Sequence, residues 1–225
     1  MPVLIISVSD KYRINNMKFN KIKFKVLLVT VFCVTNILVN ESMAQNSNTT
    51  KAKLETMGFK KIKPSELKGN TFKMFADDWA LVTAGNVDAY NTMTIGWGDF
   101  GVLWGRDIIT VYVSSSRYTK GFMDENDFFT VEFFDEQYRD ALTYLGSHSG
   151  RDENKVEKAE LTPIFTDKGN ATFKESRIII EAKKIYAHEF DVKKLPEDVK
   201  TWYKKRNLGL HTMYIGEIIG VWIKE

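Results

Sequence analysis

Three short segments of this chain bring together the residue types that hold a phosphate beside a planar ring: His148-Ser149-Gly150-Arg151-Asp152, Asn91-Thr92-Met93-Thr94 and Ser116-Arg117-Tyr118-Thr119. Arg117 and Arg151 each offer a permanently charged fork that can engage two phosphate oxygens. The neighbouring hydroxyls can fill the remaining acceptor sites, and Gly150 lets backbone N–H groups approach an anion closely. Any one segment alone also reads as a solvated turn. Three of them in one chain point to a site.

Other chemistries find little support. The three histidines, His148, His188 and His211, are far apart in sequence, and the single cysteine is Cys33. A metal centre would need ligands at closer spacing, so no metal ligand is assigned. Cys33 lies inside an apolar run from Val26 to Val39, preceded by Lys18, Lys21, Lys23 and Lys25 and followed by Ser42-Met43-Ala44. This is the layout of a secretory signal with cleavage after Ala44, and Met17 is the expected start. Large residues around Cys33 argue against lipid attachment there, and the run is short for a retained membrane anchor.

Export reverses the apparent charge. Six of the 32 basic and two of the 29 acidic residues precede Gln45, leaving 26 basic and 27 acidic residues in the mature chain. A nucleic-acid surface needs a basic excess that this chain would lack, so no nucleic-acid partner is expected. The mature chain would also hold no cysteine, which excludes disulfides and thiolate chemistry.

The elements that must position the three segments are mainly strands. After a flexible lead-in over residues 45–70, one domain is expected over 71–225. Within it, β-type runs cover Trp79–Thr83, Met93–Trp97, Ile108–Val113, Phe128–Phe134, Arg177–Ile185 and Tyr214–Ile223. Short helices are predicted over Thr119–Glu125, over Asp135–Leu145 with Gly146 as its stop, and over Pro196–Lys204 on the surface. So many strands with few helices point to a closed or partly closed barrel.

Five ordered segments then resemble a known family: Trp79-Ala80-Leu81-Val82-Thr83-Ala84-Gly85, Asn91 to Gly98, Arg117-Tyr118-Thr119, Ser149-Gly150-Arg151-Asp152 with Lys155, and His211-Thr212-Met213-Tyr214-Ile215-Gly216-Glu217. The chain resembles the flavin reductase-like family, and within it the flavoredoxin-type branch. The resemblance implies a mainly β, FMN-binding split β-barrel with Greek-key connectivity and a few short helices, usually a homodimer with the flavin near the interface. It places Asn91, Thr92, Met93 and Thr94 along the ring and ribityl side of FMN. Ser114, Arg117 and Thr119, with Tyr118 and the helix that follows, fall to the phosphate, and Ser149, Gly150 and Arg151 to the far side of the cofactor. Asp152 and Lys155 read better as loop-fixing residues.

Some positions stay open. Trp97 is a candidate flavin neighbour, although Trp97 and Trp104 also suit a core or interface. Trp97, Trp104 or Trp202 of a second subunit could cover the ring, and residues 191–210 could form a lid over it or pack on the outside. His211 is the candidate catalytic residue, or else a hydrogen-bonding group at a strand end. Asp167-Lys168-Gly169-Asn170-Ala171-Thr172 superficially resembles a covalent flavin-attachment motif, but its spacing is one residue short and a turn between strands explains it.

The resemblance implies an oxidoreductase that accepts electrons on non-covalently bound FMN and passes them to a partner or small acceptor, and the signal sequence makes it an exported, periplasmic one. No GxGxxG motif for a dinucleotide is present, and dinucleotides are cytoplasmic, so a membrane or periplasmic electron carrier is the expected donor. The alternatives are a non-catalytic flavin-binding, carrier or sensing module, and a split-barrel oxidase of the pyridoxamine phosphate type. Stable membrane insertion after signal cleavage is not expected.

Overall fold

Two long strands organise the sheet because their β-branched and apolar runs can pair on both edges. The computed structural model describes residues 54–206 and 208–225. The signal and the first part of the lead-in fall on residues 1–53 and lie outside the described residues. The strands are β1 (Phe59–Ile62), β2 (Ala80–Gly85), β3 (Tyr90–Ile95), β4 (Gly98–Leu103), β5 (Arg106–Ser114), β6 (Phe128–Phe133), β7 (Pro163–Phe165), β8 (Ala171–Phe173), β9 (Ile178–Glu189) and β10 (His211–Lys224). The helices are α1 (Thr71–Lys73), α2 (Thr119–Glu125), α3 (Arg139–Ser147), α4 (Lys155–Lys158) and α5 (Glu197–Arg206).

Eight strands form one antiparallel sheet in the order β3-β2-β6-β9-β10-β5-β4, with β1 also on β10; β7 and β8 form a separate hairpin. The passage from β5 to β6 skips β10 and β9, which gives the Greek-key connectivity. β10 serves two neighbours in succession, β5 along His211–Glu217 and β1 along Val221–Lys224. Register shifts at Ile215/Gly216 and Ile218/Gly220 bend it between the two. Gly216 is required at this bend: a β-carbon there would lie 2.6 Å from the Phe129 ring and 2.7 Å from Ala182 Cβ.

The fold is mainly β, as the sequence predicts. Alternate residues of β2, β3, β6 and β9, including Val82, Met93, Val131 and Ile180, face one core cluster. The other face is covered as well: Leu81 packs with Leu142 and Leu145 of α3, Val156 of α4 and Phe173 of β8. Each such buried side chain contributes roughly 1.5–3 kcal/mol relative to exposure. The covered face also carries a polar seam. Thr83 Oγ1 donates to Glu132 Oε2 at 3.0 Å and lies 2.9 Å from Thr92 Oγ1, all three residues being fully buried.

Two expectations need correction, and one strand was not expected. The flexible lead-in does not extend to residue 70: Leu54 and Phe59 are buried, and β1 pairs with the end of β10. Gly146 does not stop its helix, which runs on to Ser147; its missing side chain instead admits Thr94, whose Cβ would lie 3.1 Å from a Gly146 β-carbon. β4 went unread because its glycines and polar residues hide the alternation, and it occupies a sheet edge. The Trp104-Gly105 turn that joins it to β5 has positive φ at both positions, the geometry of a two-residue hairpin.

Candidate flavin site

β3 ends one path of the sheet, so one of its edges is free of strand pairing. Its residues Asn91 and Met93 face the same way, toward α2 and the loops after β5 and α3. There the three polar segments converge on a cavity of about 110 Å³. Asn91, Met93, Arg117, Tyr118, Thr119, Ser149, Gly150 and Arg151 all line it, joined by Ser116, Ser147, His148 and Lys155.

The walls are held by their own bonds. Asn91 Nδ2 donates to Thr119 Oγ1 at 2.7 Å and to the Thr92 carbonyl at 3.2 Å, which ties β3 to the start of α2. Arg117 Nη1 donates to the Gly146 carbonyl at 2.9 Å, bracing the last turn of α3. Arg151 lies over the Tyr118 ring, 4.9 Å from its centroid. Lys155 is buried and donates to the carbonyls of Leu145 and His148 at 2.9 and 3.1 Å. Burial, with the Arg117 charge added, pushes the Lys155 ammonium down to about 8. Three cations are thus held close together, an arrangement that an anion relieves.

A second cavity of about 200 Å³ adjoins the first through Met93 and Arg117, which line both. Its wall is largely aromatic and apolar: Thr94, Ile95, Gly96, Trp97, Tyr112, Ser114, Trp202, Leu208 and His211. Trp97 is 46% exposed and stands 4.8 Å from the His211 ring and 5.7 Å from Trp202, centroid to centroid. Burial and the Arg117 charge push His211 down to about 4, so its imidazole is neutral at ordinary pH. A basic, hydroxyl-rich pocket opening into an aromatic one suits a phosphorylated planar ligand. Larger hollows lie elsewhere, such as one of about 420 Å³ beside Tyr138, Tyr144 and Glu160, but they lack this pairing of functions.

Twelve of the thirteen residues expected at the site line one or both cavities. The exception is Thr92, whose hydroxyl bonds the Val82 carbonyl on the opposite face of β3 and leaves only its backbone near the site. Ser114 lines the aromatic cavity and not the basic one, donating to the Gly209 carbonyl at 2.9 Å, and Ser116 lines the basic cavity. Thr94 lines the ring cavity while its hydroxyl donates to the Leu142 carbonyl. Trp97 and Trp104 are both too exposed for core residues, and Trp104 sits on the β4–β5 turn away from either cavity. Trp202 and Leu208 come from the segment around α5, which the sequence leaves open as a lid or an outer packing element, and both line the aromatic cavity of their own chain.

A family model for the flavin reductase like domain matches residues 72–225. The chain belongs to this family. Among solved structures, the flavin reductase-like chain is similar to a flavoredoxin from Methanosarcina acetivorans, at 23% identity over 74% of this chain and 76% of that one, with a TM-score of 0.54. It is also similar to the flavoredoxin of Desulfovibrio vulgaris (Miyazaki F), at 23% identity over 73% and 78% of the two chains, TM-score 0.52. A third likeness is to an FMN-binding domain of a flavin reductase-like enzyme from Shewanella baltica, at 15% identity over 74% and 77%, TM-score 0.53. No curated protein sequence matches. The structural likenesses establish the split-barrel fold. Among the described residues of this flavin reductase-like chain, no helix is long and apolar enough to cross a membrane, and no group of His, Cys, Asp and Glu could hold a metal ion.

Proposed function

We infer that this chain is an FMN-dependent oxidoreductase, with the phosphate of FMN between Arg117 and Arg151 and its ring in the aromatic cavity. The carrying observation is the continuity of the two cavities through Met93 and Arg117. The donor set fits the cofactor: two guanidinium groups, the hydroxyls of Ser116, Thr119 and Ser149, and Lys155 match a phosphate dianion. When bound, FMN would supply reversible two-electron chemistry on its ring. The chain's residues bind and orient it. Arg117 and Arg151 fix the phosphate end, Trp97 and Trp202 shield the ring from water, and neutral His211 offers a hydrogen bond inside the cavity.

The sequence ahead of the domain supports export to the periplasm, and with it a membrane or periplasmic electron carrier as donor in place of a dinucleotide. The half-exposed Trp97, with exposed Val102 on edge strand β4 and exposed Trp104 on the turn after it, supports a homodimer that covers the ring cavity.

The test is an absorbance spectrum of the desalted protein after incubation with FMN. Retained flavin bands, bleached by a chemical reductant and restored by air, are the expected result. A protein that keeps no flavin overturns the assignment. Addition of NADH or NADPH then tests the donor, and rapid bleaching by either at micromolar concentration removes the case for a separate carrier.

A further inference from the structure

α5 is a charged surface helix, yet Tyr203 in it is buried while its neighbours Thr201, Lys204 and Lys205 are exposed. The Tyr203 hydroxyl lies 2.8 Å from His211 Nδ1, across the connection from α5 to the first residue of β10. The two rings are 5.7 Å apart, and Tyr203 also meets Trp202 edge-on at 5.1 Å. Burial raises the Tyr203 phenol above its ordinary value, with the His211 backbone N–H acting in the opposite direction. The phenol therefore keeps its proton near neutrality. Of the two neutral groups the phenol O–H is the stronger acid and the imidazole nitrogen the stronger base, so at 2.8 Å the O–H is the one that donates to Nδ1.

The direction of this hydrogen bond decides the state of the histidine. A neutral imidazole that accepts at Nδ1 carries its proton on Nε2. Among the described residues, no hydrogen bond engages Nε2, while the ring lines the aromatic cavity beside Trp97 and Ser114. The charged and titratable groups around the ring are Arg117, Tyr203 and Tyr112; the Tyr112 hydroxyl is directed to Asp99 at 3.5 Å.

We propose that Tyr203 is a positioning residue that holds His211 in its Nε2–H form, making His211 a neutral hydrogen-bond donor to an acceptor atom of the planar ligand in the aromatic cavity. His211 then acts by donating a hydrogen bond and carries no positive charge. The identity of that ligand as FMN rests on the function proposed above; the state of His211 does not.

The first experiment reads the nitrogen resonances of His211 by long-range proton–nitrogen NMR on the flavin-free protein between pH 6 and 8. The expected spectrum shows Nδ1 unprotonated and Nε2 protonated. A protonated Nδ1 would mean that Tyr203 accepts, and would overturn the proposal whether or not flavin binds. The second experiment is a double-mutant cycle read by FMN affinity. A glutamine amide can place an N–H near the Nε2 position without needing a partner at Nδ1. Tyr203→Phe should weaken FMN binding about tenfold in the native background and leave it unchanged in a His211→Gln background. An equal loss in both backgrounds would make Tyr203 a packing residue only. Absence of FMN binding in the unsubstituted protein would remove the flavin assignment while leaving the NMR result to decide the tautomer.

Discussion

Gly150 lies directly against Asn91: a β-carbon at Gly150 would stand 2.1 Å from Asn91 Oδ1 and 3.3 Å from Tyr118 Cδ1. The glycine is there for space, since its φ is not in the left-handed region. Asn91 cannot move away freely, because its amide holds Thr119 and the Thr92 carbonyl. Gly150→Ala should therefore push the loop outward and widen the phosphate cavity. The expected result is a loss of FMN affinity of tenfold or more, about 1.4 kcal/mol, with thermal stability within a few degrees of the parent. Fluorescence titration against FMN and a thermal melt measure the two; unchanged affinity would show that Gly150 does not border the ligand.

Arg151 can be tested with less structural risk than Arg117, which braces the α3 carbonyl at Gly146. Its contacts within the chain are weak, a 3.5 Å approach to the Ser116 carbonyl and the Tyr118 ring face. A charge-assisted hydrogen bond contributes roughly 1.5–3 kcal/mol. Arg151→Ala should weaken FMN binding by one to two orders of magnitude and leave riboflavin binding unchanged, since riboflavin carries no phosphate. Equal losses for both ligands in parallel titrations would place Arg151 at the ring instead.

Lys155 gives the phosphate site a pH dependence of definite sign. Burial and Arg117 hold its ammonium at about 8 in the free protein, and a bound phosphate dianion raises that value. Binding then takes up a proton wherever the free lysine has lost one. FMN affinity should be greatest near pH 7, where its phosphate, with a second pKa of about 6, is mostly a dianion and Lys155 is still charged, and should fall as pH rises through about 8 to 10, with no corresponding fall for riboflavin. Lys155→Met should flatten the FMN curve over that range. A pH profile shared by both ligands would detach Lys155 from the phosphate.

The legible parts of this site were those carried by local chemistry. Arg117, Thr119, Gly150 and Arg151 announce themselves by residue type and spacing, and α2 occupies Thr119–Glu125 as its sequence predicts. What escaped were consequences of pairing and packing. Thr92 turns away because its strand is covered on both faces, and the hydroxyl finds Val82 and Thr83 on the far side. Trp202 is a candidate ring cover by residue type, but its place is not legible: its helix reads as solvated surface, and only the return of the chain into β10 brings it to the cavity of its own chain. Gly146 looked like a helix stop, but a tertiary contact with Thr94 governs it. β1 is too short and too charged to be read alone, and becomes a strand by joining the end of β10.

Glu132 should make the fold less stable as pH rises from 4.5 toward 8. It is fully buried on β6, receives Thr83 Oγ1 at 3.0 Å, and its Oε1 has no hydrogen-bond partner, as is true of Thr172 Oγ1. Burial pushes its carboxyl from 4.5 up to about 8, with the hydrogen bond from Thr83 acting in the opposite direction. The unfolded chain loses this proton first, so between pH 4.5 and 8 the native state binds more protons and stability falls as pH rises. The slope from this one group is about 1.4 kcal/mol per pH unit at most. Glu132→Gln keeps an acceptor for Thr83 and removes the titration. The variant should match the parent in denaturant midpoint at pH 4.5 and exceed it increasingly up to pH 8, where the gap levels off. A gap that does not change with pH would mean that Glu132 is already charged in the folded protein, stabilised by its threonine neighbours.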